Sequence, residues 1–156
     1  MITIVDGRSG AGKTALAARL SAETGARVIH MDDLYAGWHG LATGSRLLER
    51  AILAPLADGR RAVWRRWDWE AGDWGREDRA EPGEPLIVEG CGSLTRETRR
   101  HAGRTIWLDV PEPIRRARAL ARDGDDSWWE LWREQEDAHI AANGPAALAD
   151  EVIAAA

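Results

Sequence analysis

The sequence predicts an α/β fold built on a parallel sheet, and three observations predict it. Short apolar runs suited to buried strands recur at Ile2–Val5, Arg27–Met31, Pro85–Val88 and Arg104–Val110. Helix-forming stretches separate them, which is the alternation that parallel sheets require. A glycine-rich turn, Gly7-Arg8-Ser9-Gly10-Ala11-Gly12-Lys13-Thr14, joins the first strand to the first helix.

That turn matches G-x-x-x-x-G-K-[ST] at every position, and this composition gives roughly 8 × 10⁻⁴ matches by chance. Its glycines let successive backbone N–H groups point into one concavity, and the helix that starts there adds the positive end of its dipole. A polyphosphate suits such a site. Gly7, Ser9, Gly10, Ala11 and Gly12 form the cradle, Lys13 reaches the β- and γ-phosphates, and the Thr14 hydroxyl takes one position on magnesium. Lys13 is the only lysine in a chain with twenty arginines, so a compact ammonium has been kept where a planar guanidinium differs from it.

The 156 residues predict one domain, 1–156. A net charge of −5 argues against a nucleic-acid binder. Cys91, the only cysteine, forms no intrachain disulfide, and no apolar run approaches the ~18 residues of a membrane span. A soluble cytoplasmic protein with no membrane partner is expected, its oligomeric state open.

The first helix should end near Gly25. The stretch Arg27–Tyr35 then reads as a short buried strand that delivers Asp32 and Asp33 at its C-terminal end, the edge where ligands sit in open α/β sheets. A carboxylate there can accept the proton of an attacking hydroxyl, whereas an aspartate can also merely cap the next segment. One of the pair is read as functional. His39, in a glycine-punctuated loop, is a further residue able to touch substrate, and Thr43 is the expected cap of a helix running through Leu56.

Residues 62–84 read as a hairpin or flap, with four of the nine tryptophans inside eleven residues. Trp67 and Trp69 suit a stacking wall for a planar ligand, with Asp68 able to accept from sugar hydroxyls; a satellite core of indoles covered by arginines is the alternative. The strand ending at Glu89 puts a second carboxylate beside the phosphate loop if the strands are parallel neighbours. A helix is expected over 94–102. In the segment 113–126, Arg115, Arg118 and Arg122 recur at i, i+3 and i+7 and form a stripe able to close on a phosphate as a lid. The helix 128–142 carries Trp128, Leu131, Trp132, Gln135 and His139 near one face, read as core packing, and 149–153 suggests a fifth strand.

Together these motifs resemble the uridine kinase-like group of phosphate-loop kinases, which includes nicotinamide riboside, pantothenate and phosphoribulokinases. The likeness spans Asp6 to Thr14, Asp32-Asp33-Leu34-Tyr35, Trp67-Asp68-Trp69, Val88-Glu89-Gly90 and Arg115 to Asp123. The resemblance implies a P-loop NTPase fold of three α/β/α layers, with a five-stranded parallel sheet in the order 2-3-1-4-5 and a small Trp-rich hairpin. It implies ATP and Mg2+ as cofactors. It also implies Asp32 as base on the acceptor hydroxyl, Tyr35, Trp67, Asp68 and Trp69 near the acceptor, Glu89 with Thr14 near the metal, and Arg115, Arg118 and Arg122 as the lid.

The expected function is therefore a kinase that phosphorylates a hydroxyl of a nucleoside-like or sugar-bearing metabolite. Arg65 and Arg66 keep a nucleoside monophosphate acceptor open, and an ATP-binding regulatory module is a further alternative. A Ras-like GTPase is excluded, because N-K-x-D needs a second lysine and no D-x-x-G occurs.

Overall fold

A computed structural model describes residues 1–154. Seven strands occur among them: β1 (Ile2–Gly7), β2 (Arg27–His30), β3 (Ala62–Asp68), β4 (Asp73–Ala80), β5 (Leu86–Glu89), β6 (Arg104–Asp109) and β7 (Glu151–Ala154). β3 and β4 pair only with each other, as an antiparallel hairpin, and the other five form a parallel sheet ordered β2-β5-β1-β6-β7. With the hairpin left out of the count this is the 2-3-1-4-5 order that the resemblance implies.

Alternation along the strands builds two cores. Ile4, Leu86 and Val88 face one side, under α2 (Leu41–Leu47), a π-helical turn (Leu48–Leu53), α3 (Ala54–Ala57) and Trp132 of the later helix α6 (Trp129–Asn143). Val5, Ile87, Ile106 and Leu108 face the other, where Leu16, Ala17 and Leu20 of α1 (Lys13–Thr24) cover them. Both faces of the sheet are thus covered by helices, as a fully apolar strand such as Leu86-Ile87-Val88 demands.

Local chemistry moved some boundaries. α4 covers only Arg96–Arg99, not 94–102, because the Leu94 N–H is drawn to Asp6 and the Thr95 and Thr98 side chains close a capping box one residue later. α2 begins at Leu41, with Gly40 at its N-cap in place of Thr43, because Gln135 from α6 accepts from the Leu41 N–H. The widened turn at Leu48–Leu53 immediately precedes Pro55, whose ring would crowd the carbonyl four residues back in a regular helix. α5 spans Glu112–Asp123, α6 Trp129–Asn143 and α7 Pro145–Leu148. No helix among the described residues is long and apolar enough to cross a membrane.

Candidate active site

Between Gly7 and Lys13 the chain must reverse direction over the sheet's C-terminal edge. Gly10 turns with φ 80° and Gly12 with φ 96°. A Cβ on Gly10 would overlap the Arg115 carbonyl oxygen, so the loop and α5 touch backbone to backbone.

The loop is braced from behind by buried carboxylates. Asp6 accepts from the N–H groups of Gly7 (2.7 Å), Gly92 (3.2 Å) and Leu94 (3.0 Å) and from His139 Nε2 (2.9 Å). Glu136 accepts from Ser9 N at 2.6 Å and faces the Arg8 guanidinium at 3.6 Å. Burying such charges is tolerable only because donors surround them.

In front of the loop lies a cavity of about 620 Å³. Ser9, Gly10, Gly12, Lys13 and Thr14 form its floor, with Asp32 and Glu89 from the strand ends and Arg118 and Arg122 from α5. β1 and β5 are parallel neighbours with Val5 opposite Glu89, which brings Glu89 Oε1 to 3.2 Å from the Thr14 hydroxyl that donates to it. His30, last in β2, donates from Nδ1 to the same oxygen at 2.6 Å. That bond raises the His30 pKa against the opposing effect of burial. Lys13 Nζ donates to the Arg8 carbonyl at 2.8 Å. Burial works against its charge, but the Cys91, Glu89, Asp6 and Glu136 groups around it outweigh that and raise its pKa.

Asp32 and Asp33 sit on one turn (Met31–Asp33) and diverge. Asp32 lines the cavity, whereas Asp33 faces Arg66 of the hairpin at 3.8 Å. The Asp32 carboxyl is open to solvent through the cavity yet ringed by protein. Its pKa is raised, first by that desolvation and next by Glu89, while Lys13 and Arg122 pull the other way. Asp33 is raised as well, by burial, with Arg66 opposing.

The aromatic lining of the cavity is not the one expected. Trp69 lines the cavity, but Trp67 does not: it packs edge to face on Trp74 within the hairpin at 5.1 Å. Asp68 accepts from the N–H groups of Glu70 and Ala71 and closes the hairpin turn, which leaves it away from the cavity. Trp38, Trp128 and Trp132 take the places beside Trp69, so the face of α6 read as core packing also forms cavity wall. Tyr35 reaches the cavity with its hydroxyl committed to the Cys91 carbonyl at 2.6 Å.

The arginine stripe divides too. Arg118 and Arg122 face the cavity, while Arg115 is buried behind the loop, donating to the carbonyls of Val110 (2.8 Å) and Ser9 (3.4 Å). Gly7 and Ala11 belong to the loop's packed back rather than to the cavity surface. Arg65 donates to the Gly75 carbonyl, and neither it nor Arg66 lines the cavity. His39 does not line it either.

The Thr14 hydroxyl and the Glu89 carboxylate are adjacent hard oxygen donors, with Asp32 in the same cavity. That set fits magnesium, which keeps waters and substrate oxygens as most of its ligands. No cluster of three or more His, Cys, Asp or Glu side chains able to hold a metal by themselves occurs among the described residues.

No protein-family model matches the chain, and neither does any curated protein. Solved structures do. A possible uridine kinase from Bacillus stearothermophilus superposes with a TM-score of 0.69 at 21% identity, over 98% of this chain and 88% of that one. The chain has the fold of a phosphate-loop kinase. A sugar kinase from Janibacter sp. HTCC2649 matches at TM-score 0.57 and 19% identity, covering 99% and 83% of the two chains. Shikimate kinase from Bacteroides thetaiotaomicron matches at 0.56 and 16%, covering 99% and 86%. The names of these three proteins give different acceptors, so the shared fold by itself fixes none.

Proposed function

We propose that this protein is a kinase that transfers the γ-phosphate of Mg·ATP to a hydroxyl of a small-molecule acceptor; a nucleoside-like or sugar-bearing acceptor is what the resemblance implies. One observation carries the reading: Asp32 lines the same cavity as Lys13, Thr14, Glu89, Arg118 and Arg122. A carboxylate facing the phosphate loop across one cavity is placed to orient an attacking hydroxyl, and desolvation by the surrounding protein raises its pKa.

In this reading Lys13 and the loop amides bind the β- and γ-phosphates, and Arg118 and Arg122 gather charge on the transferring group. Thr14 and Glu89, the latter kept in place by His30, would hold a magnesium ion, which when bound would neutralise phosphate charge. Asp32 orients the acceptor hydroxyl and takes its proton as that oxygen bonds to the γ-phosphorus. The bond from the γ-phosphorus to the bridging oxygen breaks, and ADP leaves. Positioning and electrostatics supply the catalysis, with no covalent intermediate on the protein.

A coupled ADP-release assay over a panel of alcohols tests it. Lys13→Ala should abolish transfer. Asp32→Asn should lower kcat by about 10²–10⁴ while ATP affinity stays within about twofold. Normal turnover by Asp32→Asn would remove the base assignment.

A further inference from the structure

We propose that the β3–β4 hairpin is a brace for the catalytic base: Trp69 and Arg66 grip the turn Met31–Asp33 from outside and so aim the Asp32 carboxylate at the acceptor hydroxyl. The proposal rests on the phosphotransfer reading of the cavity.

The need for a brace begins with Asp32 itself. Its carboxylate makes no hydrogen bond to any described residue and feels Glu89, Lys13 and Arg122 only through space. Nothing at its own oxygens sets its direction, so the backbone beneath must. That backbone is one turn of three residues with no side-chain cap, closed by a single bond from the Leu34 N–H to the Met31 carbonyl at 2.8 Å. Met31 and Leu34 root the turn in the core, while Asp32 and Asp33 stand on its outer side. So short a turn holds its outward residues weakly.

The hairpin supplies what the turn lacks. Trp69, the first residue after β3, donates from Nε1 to the Asp32 carbonyl at 2.9 Å, and the Arg66 guanidinium faces the Asp33 carboxylate at 3.8 Å. The two contacts divide the aspartates: Asp33 is the handle, and the Asp32 carboxylate is left free to act.

A grip positions something only if the arm behind it is fixed. Ala62, Trp64 and Ala80 anchor the base of the hairpin in the same core as Met31 and Leu34. Arg27, the first residue of β2, ties it again, donating to the Asp78 carboxylate at 3.1 Å and to the Arg79 carbonyl and pairing with Glu84 at 3.0 Å. β2 is thus bound to the hairpin where it begins, and the turn that follows β2 is bound at the other end. Between these anchorages Gly75 and Arg76 of β4 stand opposite the single residue Arg66, a bulge of the kind that bends a strand and re-aims a side chain. The contacts of Trp67 with Trp74 and of Asp68 with the turn amides then have a purpose, which is to stiffen the arm.

Trp69→Phe tests the brace, because it removes the N–H and keeps an aromatic ring at a residue that is 41% exposed. Trp67→Phe is the control. Exchange of the Leu34 amide is followed by NMR without ligand, and kcat is measured with saturating Mg·ATP and a saturating amount of whichever alcohol in the panel is phosphorylated best. In Trp69→Phe exchange should quicken about fivefold, the worth of one hydrogen bond, and kcat should fall about fivefold or more while the KM for Mg·ATP stays within about twofold. The same substitution made on Asp32→Asn should lower kcat no further, because the bond acts through that carboxylate. Trp67→Phe should leave both readings within about twofold. Unchanged exchange or unchanged kcat in Trp69→Phe, or an undiminished loss on the Asp32→Asn background, would overturn the proposal. A parent that phosphorylates no alcohol removes the phosphotransfer reading and the catalytic use of the brace with it, whereas quickened exchange in Trp69→Phe would still show that the hairpin holds the turn.

Discussion

Replacing Gly10 by alanine perturbs the phosphate loop at the point where it meets α5, and the structure provides its own control. Gly10 has φ 80° with the Arg115 backbone directly against the missing side chain; Gly25, which ends α1, has φ 76° with nothing within 4 Å. Alanine at either position incurs the left-handed penalty of about 1–2 kcal/mol. Only Gly10→Ala must also push a helix backbone aside, which costs about 1–3 kcal/mol more in a packed region. At 2–4 °C per kcal/mol for a chain of this size, Gly25→Ala should melt roughly 2–8 °C lower than the parent and Gly10→Ala roughly 4–20 °C lower. Since Arg118 Nη1 donates to the Gly10 carbonyl at 3.4 Å, relief of the overlap also draws Arg118 away from the loop. Gly10→Ala should therefore lose Mg·ATP affinity by about tenfold or more, and Gly25→Ala should retain it. Scanning calorimetry and nucleotide titration read both effects. Equal melting of the two variants, with equal nucleotide affinity, would refute the backbone contact as the reason glycine stands there.

Asp6→Asn keeps the shape but replaces an acceptor of four hydrogen bonds by a group that must donate; it should cost about 2–4 kcal/mol in urea unfolding, with the loss persisting at high salt because the site is buried. The raised pKa of Asp32 places the acid limb of the kcat profile above the ordinary aspartate value of 3.8, and in the residual activity of Asp32→Asn that limb should vanish. The folded chain holds the Asp32 proton more tightly than the unfolded chain does. Its contribution to stability is accordingly present below the ordinary value and lost as pH rises through the raised one, so Asp32→Asn should melt no lower than the parent at pH 7 while being the poorer enzyme. Trp69→Ala should raise acceptor KM, whereas Trp67→Ala, confined to its contact with Trp74, should leave it within about twofold.

The phosphate-loop half of the cavity was legible because it is local in sequence. Eight consecutive residues set the loop, and the two acidic strand ends follow from where apolar runs stop, so Thr14, Asp32 and Glu89 meet as soon as the strands are parallel. The aromatic half of the cavity was not, because it joins Trp38, Trp69 and Trp128 from segments far apart in the chain, and no periodicity links them. Nearest-neighbour reading favoured Trp67 and Asp68, which satisfy the hairpin itself. Arg115 shares its stripe with Arg122 but stands two turns, about 10 Å, nearer the start of α5, which puts it behind the loop instead of over the cavity. Glu136 was missed, although the sequence held a signal: a carboxylate one turn after Trp132 and three residues before His139, on the face of α6 already read as buried.

That helix works as a ruler. Trp132 meets the cavity and Glu136, four residues on, holds Ser9 of the phosphate loop, so the two contacts are set about 6 Å apart along the axis of one α-helix. Loops elsewhere can lengthen without consequence for that interval. A single residue inserted between positions 132 and 136 would swing one of the two contacts round by about 100°, and the chain could keep its wall or its clamp but not both.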